Sequence, residues 1–422
     1  MKDNKTNTIV PRADLNRLYP GVSAQKAEAR LSLASDGFAR VYGKTQPRLF
    51  SAPGRIELCG NHTDHQRGRV LAAAVNLDDV AAALPNEDNV IRIFSDTHGS
   101  AVIDLNDLSL QPSESGTPAS LLRGVAEYFA KQGIIISGGF DAYISAQVPV
   151  GSGLSSSAAF EVLIACIMNC FYCGGEIAPD VLARAGQYAE NVHFGKPCGL
   201  MDQLASAVGG IVGIDFKKQD APLVERLSLD FSDFGYDLCI IDTGAKHDNL
   251  IGEYAAIPTE MSEVACLLGG EKLRDIKPEK FFKELPRLRS RASDRSLLRA
   301  AHFFDENDRV LNEINALKRG DFNSFLRNVR YSGRSSWTLL QNIYPNISVF
   351  DQSAALALTW CERLLGVTGA CRIHGGGFGG TILAFVPDDE PQRFLKDMEA
   401  LTGAGSCRIL QTRDAGAVEI VE

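Results

Sequence analysis

Three stretches of this chain carry residue types and spacings that could do chemistry. The first is V-P-V-G-S-G-L-S-S-S-A-A-F-E-V (148–162). A strand is expected to end at Pro149 and a long apolar helix to begin near Ser155. Gly151 and Gly153 permit backbone geometry closed to other residues and close approach of a ligand. Ser155, Ser156 and Ser157 then meet the free N–H groups and partial positive charge of a helix N-terminus, a site suited to an anion. Their hydroxyls add donors and an oxygen ligand for Mg²⁺. A serine N-cap on an ordinary core helix has the same appearance, and the G-K-[ST] ending of a Walker loop is absent.

The second stretch is E-N-V-H-F-G-K-P-C-G-L-M-D-Q (190–203). Glu190 ends a helix, and Asp202 follows a turn carrying Gly195, Pro197 and Gly199. Nucleotide-bound Mg²⁺ takes one or two protein oxygens, and Glu190 suits that use. Asp202 suits a group that orients a hydroxyl or accepts its proton in phosphoryl transfer. Two surface carboxylates, one capping a helix, would look the same. The third stretch, G-N-H-T-D-H-Q-R-G-R (60–69), crowds Asn61, His62, Asp64 and His65 beside the apolar V-L-A-A-A-V. Later, H-G-G-G-F-G-G-T (374–381) lets backbone pass close to a ligand or a neighbouring loop. C-I-M-N-C-F-Y-C (166–173) has the C-x3-C-x2-C spacing of a radical-enzyme iron–sulfur site. Cys166, Cys170 and Cys173 fall at i, i+4 and i+7 of one apolar helix, which favours packing.

The elements that must position these residues read as intermixed strands and helices, an α+β class. Strands are expected at 48–53, 70–84, 90–95, 140–149, 210–216, 236–243, 371–374, 381–386, 407–412 and 417–421. Helical spacing covers 12–44, 118–133, 155–172, 177–193, most of 249–332 and 350–365. With 422 residues the chain is expected to form two domains, 1–225 and 226–422, dividing near 220–235. A net charge of −9 argues against nucleic acid. The basic stretch 286–299 reads as a solvated helix face. No secretion signal is evident, and no run reaches the about 18 apolar residues of a membrane span. Ten scattered cysteines suit reduced thiols in a cytoplasm.

A-P-G-R-I-E-L-C-G-N-H-T-D-H (52–65), P-V-G-S-G-L-S-S-S-A-A (149–159) and G-G-G-F-G-G (375–380) occur in one order. Together they resemble the GHMP kinase superfamily and, within it, the galactokinases. P-C-G-L-M-D-Q (197–203) and D-N-L-I-G-E-Y-A-A-I-P (248–258) extend the resemblance over nearly the whole chain. The resemblance implies a two-lobed GHMP kinase fold, with an N-terminal lobe like ribosomal S5 domain 2 and a ferredoxin-like C-terminal lobe. It implies an ATP- and Mg²⁺-dependent kinase acting on the anomeric hydroxyl of galactose in the cytoplasm, as a monomer. Gly151, Ser152, Gly153, Leu154, Ser155, Ser156 and Ser157 would wrap the ATP phosphates. Ser157 and Glu190 would hold Mg²⁺. Asp202 would be the base, and Arg55 would stabilise charge at the reacting hydroxyl. Asn61, His62, Thr63, Asp64, Gly199 and Tyr254 would bind the sugar.

The departures from the galactokinase pattern cluster in the sugar corner. Asn61 replaces Glu, His65 replaces Tyr, Glu57 replaces Asn, Ala72 replaces Pro and His374 replaces Thr. An Asn donates as well as accepts and does not repel a substrate carboxylate, so a galactose relative altered at C6 is an alternative substrate, as is N-acetylgalactosamine. Arg67 or Arg69 would assist a C6 carboxylate. A non-catalytic galactose sensor is a second alternative. The intact S-S-S-A-A (155–159), Glu190 and Asp202 favour the enzyme, and H-T-D with P-C-G-L-M-D-Q favours a sugar over mevalonate or homoserine.

Overall fold

The computed structural model of the protein describes residues 9–151, 153–245, 250–346, 350–378, 380–389 and 391–422. Two compact units divide the chain. One comprises Met1–Arg55, Ala73–Gly210 and Thr412–Glu422; the other comprises Ile56–Ala72 and Ile211–Gln411. The chain therefore changes unit four times, where the sequence suggests one division near 220–235. The last of these changes follows from pairing over long range. Val418–Val421 lies between Ile9–Pro11 and Arg48–Cys59, with Val418 opposite Ser51 and Ile420 opposite Val10. No local pattern in the sequence announces that return.

In the first unit the sheet continues through Arg69–Pro85, Phe140–Ala146, Val90–Ser95 and Gly99–Asp104. Helix Ser156–Tyr172 is apolar all round and buried from Ala158 to Cys170, the pattern of a helix enclosed by protein. It packs against Pro118–Lys131, Pro179–Tyr188 and Met201–Val208. Cys166 and Cys170 belong to this buried stretch, and Cys173 is half-buried. The helical spacing of 12–44 resolves into a 3₁₀ turn, Arg12–Arg17, and a helix, Ala24–Tyr42. The break is local: Ser23 caps the helix by accepting from the Lys26 N–H. The helix expected over 177–193 changes after Tyr188 into a widened π turn, Ala189–Phe194. Such turns are frequent at functional sites, and this one carries Glu190.

The second unit contains a four-stranded antiparallel sheet ordered Ala370–His374, Thr381–Pro387, Tyr236–Asp242 and Cys407–Leu410. In chain order that is 2-3-1-4, the order of a ferredoxin-like plait. Helices Ser353–Leu365 and Pro391–Thr402 cover the face bearing Cys239, Ile241, Ile373, Ile382 and Ala384. Phe322 and Phe325, from helix Phe322–Ser335, pack on Phe231 and Phe385. Ile251–Leu267, Pro278–Leu288 and Asp294–Lys318 share a separate apolar core. The basic stretch 286–299 is only partly a solvated face. Arg299 is fully buried, pairing with Glu260 at 3.0 Å and donating to the Leu340 carbonyl. Its position on the inward face of Asp294–Lys318 overrides its charge. Among the described residues no helix is long and apolar enough to cross a membrane.

Candidate functional site

In the first unit the chemistry gathers around the start of helix Ser156–Tyr172. Gly151 and Gly153 have φ of +78° and +76°, and Ser155 has φ of +62°. Left-handed backbone at a serine costs about 1–3 kcal/mol and persists only where surroundings enforce it. Here the enforcement is visible. Ser155 occupies the N-cap position, yet its hydroxyl makes no cap bond and instead donates to Asp202 Oδ2 at 2.5 Å. Asp202 also receives a two-pronged ion pair from Arg55, Nε to Oδ1 at 2.7 Å and Nη2 to Oδ2 at 2.5 Å. Arg55 donates in addition to the Gly153 carbonyl, and its own N–H donates to the Leu154 carbonyl at 3.1 Å. The turn, the arginine and the carboxylate thus form one bonded assembly. Leu154 is buried, so its side chain packs while its backbone ties the turn to the strand. Ser152 lies outside the described residues. Ser155, Ser156 and Ser157 are partly exposed, leaving the helix N-terminus open on one side.

Burial would raise the Asp202 pKa, but the Arg55 charge and the hydrogen bonds from Arg55 and Ser155 outweigh it and hold the carboxyl below its ordinary value. Asp202 is therefore ionised at neutral pH. Next to it, the Ser157 hydroxyl donates to Glu190 Oε1 at 3.0 Å. The Lys196 ammonium reaches the same oxygen at 2.8 Å, and Gln203 Nε2 bridges Glu190 and Glu161 at 3.2 and 3.0 Å. Burial, then the Glu190 charge, pushes Glu161 well above the usual carboxylate range. A hydroxyl and a carboxylate oxygen this close, with a cation already drawn to the carboxylate, are the hard oxygen donors that suit Mg²⁺. Gly199 lies in the loop before Met201–Val208, three residues ahead of Asp202. The motif reading missed Glu161, Lys196 and Gln203 as partners of Glu190, although the last two lie within the quoted stretch 190–203.

In the second unit the crowded stretch is a corner tied to the glycine cluster. Three successive carbonyls are taken by predicted sugar-binding residues. Asn61 Nδ2 donates to Gly375 O at 2.5 Å, His62 Nε2 lies 3.0 Å from Gly376 O, and Tyr254 Oη donates to Gly377 O at 3.2 Å. Gly376 is glycine because a Cβ there would lie 2.6 Å from Tyr254 Cε1. Burial first, then the His65 charge, lowers the His62 pKa to about 4. The ring is neutral, and since a carbonyl only accepts, Nε2 carries the proton and Nδ1 is an acceptor. Asp64 takes its neighbour's N–H, from His65, on Oδ1 at 2.9 Å.

Asn61 and Thr63 are placed differently from a ligand contact. Asn61 is fully buried. Its amide donates to Glu57 (2.9 Å) and Gly375, and accepts from Asn342 (2.8 Å) and Ser336 (3.4 Å). Two donors and two lone pairs are thereby all engaged. The Thr63 hydroxyl bonds the carbonyls of Gly60 and Arg69, closing the turn. Glu57 is held by Arg372 at 2.9 Å, and the Glu57 N–H donates to His374 Nε2 at 2.9 Å. Arg67 pairs with Glu271 and Arg69 with Asp215, each at 2.8 Å. The features that suggested a C6 carboxylate are thus occupied by the protein itself. Asp248 and Asn249, quoted with Tyr254, lie outside the described residues.

Residues 36–85 match the galactokinase galactose-binding signature, and residues 120–210 match the N-terminal domain of the GHMP kinases. A galactokinase from Actinobacillus pleuropneumoniae serotype 5b is 32% identical over 377 residues, covering 86% of this chain and 91% of that protein. The Homo sapiens galactokinase is 31% identical over 416 residues, covering 94% and 98%. Among solved structures, Lactococcus lactis galactokinase complexed with galactose shares the fold with a TM-score of 0.80 at 23% identity, over 92% of this chain and 99% of that one. The Methanococcus jannaschii mevalonate kinase shares it with a TM-score of 0.58 at 18% identity, over 87% of this chain and 98% of that one. The bonded turn, arginine and carboxylate, the corner at His62–Asp64 and the plait order are all part of a chain that belongs to the galactokinase family of the GHMP kinases.

Proposed function

We propose that this protein is a galactokinase, transferring the terminal phosphoryl group of ATP to the anomeric hydroxyl of galactose. The observation that carries the reading is the Ser155–Asp202–Arg55 assembly bonded to the glycine-serine turn. It puts an ionised carboxylate and an anion-binding helix N-terminus in one rigid unit. The turn's backbone N–H groups and the Ser156 hydroxyl bind phosphate oxygens. Ser157 and Glu190 hold Mg²⁺, which when bound neutralises charge on the phosphates. Asp202 accepts the hydrogen of the sugar hydroxyl. Its depressed pKa makes it a weak base at rest, so it orients the hydroxyl and takes the proton as the bond to phosphorus forms. Arg55 keeps Asp202 ionised and opposes negative charge developing on the attacking oxygen.

The second unit reads the sugar. His62 Nδ1 and Asp64 accept from hydroxyls, and Tyr254 forms one wall. A sugar lacking a matching hydroxyl leaves a buried acceptor unpaired, at about 1–3 kcal/mol. Asn61, Thr63, Glu57 and Arg372 fix this corner from behind, which favours galactose over a C6-altered relative. The reaction is placed in the cytoplasm with a single chain as the working unit. The free thiols of the ten cysteines support the cytoplasm.

The test is ADP release from MgATP with galactose, N-acetylgalactosamine, galacturonate, glucuronate, arabinose and glucose, for wild type and Asp202→Ala. Turnover of galactose, lost in the variant, is expected. Turnover of galacturonate without galactose would contradict the reading. So would sugar binding with no turnover on any sugar.

A further inference from the structure

The tip of the sugar corner is a strained backbone. Gly60 has φ of +99° and His62, which is not glycine, has φ of +57°. A Cβ on Gly60 would lie 2.6 Å from Arg69 O and Val70 Cα, so the turn is also crowded. Such a segment holds its shape only if something outside it does the holding. We propose that His302 and Glu306, one turn apart on helix Asp294–Lys318, are positioning residues that set the sugar-reading geometry by gripping the backbone of Gly60 and Asn61.

Glu306 is fully buried. Its Oε1 accepts from the N–H groups of Gly60 at 3.0 Å and Asn61 at 3.4 Å, from Ser332 Oγ at 2.6 Å and from Cys59 Sγ at 3.5 Å. Arg309 ion-pairs with its other oxygen. His302, also fully buried, takes the opposite side of the same peptide. Its Nε2 lies 3.0 Å from the Asn61 carbonyl, which only accepts, so Nε2 donates and Nδ1 accepts from the Ser335 hydroxyl at 2.8 Å. Both backbone groups of Asn61 are thus fixed by residues four apart on one helix face. A buried carboxylate is a poor way to stabilise a core, since apolar residues of similar volume do as well or better. As a multiple acceptor for a strained turn it has a geometric use. His62 is the next residue and Asp64 is two further on, so a shift of this backbone moves both hydroxyl acceptors.

The inference rests on His62 and Asp64 forming the galactose-contacting corner. The test uses full-length enzyme, varying galactose and ATP separately, for Glu306→Gln, Ser335→Ala and Asp64→Asn, with folding followed by circular dichroism. Glu306→Gln is expected to raise the galactose KM about tenfold while the ATP KM stays within about twofold, since small misplacements of binding groups carry large costs. Ser335→Ala releases the His302 ring and is expected to raise the galactose KM about threefold. A residue that only stabilises the fold would lower kcat through the active fraction and leave both KM values alone; that result overturns the proposal. Should Glu306→Gln not fold, Ser335→Ala decides, and an unchanged galactose KM sinks the idea. An unchanged galactose KM in Asp64→Asn would instead show that the corner reading has failed, and the inference with it.

Discussion

Asp202 is held by Arg55 on one side and Ser155 on the other, and its acidity follows from that contest. Burial alone raises a carboxyl pKa; here the guanidinium outweighs it. Because the folded-state value is depressed, the carboxylate form persists at neutral pH and is lost only as pH falls below the ordinary carboxylate range. Arg55→Met removes the lowering partner and leaves the burial. The acid limb of the kcat/KM profile is expected to move upward, toward neutral pH. Activity at the optimum is expected to fall by about 10²–10³-fold, as for loss of a charge-stabilising donor. A profile whose acid limb does not move would show that Asp202 is not the titrating group. Residue types and spacing singled out Asp202, Ser155, Ser157 and Glu190, and the resemblance added Arg55, but neither said how they bond. It also suggested Asn61 as a sugar contact, because an exposed polar corner and a buried polar scaffold have the same residue types. What distinguishes them is burial, and burial of Asn61 depends on Ser336, Asn342 and Gly375, which lie 275, 281 and 314 residues further along the chain.

At the scale of elements, the glycine cluster between strands Ala370–His374 and Thr381–Pro387 is a close-packed seam. Its carbonyls take bonds from Asn61, His62 and Tyr254. Gly376→Ala sets a methyl against the Tyr254 ring. The expected result is a galactose KM raised about tenfold and a stability loss of about 1–3 kcal/mol, the usual range for overpacking. Steady-state kinetics with urea unfolding checks both; a variant with wild-type galactose KM would show that the ring has room to move. Strands with long apolar or alternating runs were legible in the sequence, as were the plait strands. Gly99–Asp104, Leu223–Leu227 and helix Pro391–Thr402 went unread, being short or largely exposed and so weakly patterned. The π turn at Glu190 was also invisible, since its hydrogen bonding leaves no periodic signature.

For the whole molecule, the C-terminal segment completes the first unit. Arg413, fully buried, donates to Ser51 at 2.7 Å, to Asp78 at 3.1 Å and to the carbonyls of Ala415 and Gly416. Asp78 also accepts from Tyr19 at 2.7 Å. Arg413→Met leaves a buried carboxylate without its main counter-charge and is expected to cost about 3–5 kcal/mol, read as a lower urea midpoint. An unchanged midpoint would remove this ion pair from the account of the first unit's stability. The two-unit plan was legible from length and mixed elements, but the division was not, because a strand joining residues 418–421 to a strand near 50 is a tertiary fact. Phosphorus NMR of the product formed from galactose and MgATP shows directly which hydroxyl is phosphorylated. A phosphate resonance coupled to the anomeric proton is expected for wild type, and none is expected from Asp202→Asn. Phosphate on another hydroxyl, or equal product from the variant, would contradict the proposed function.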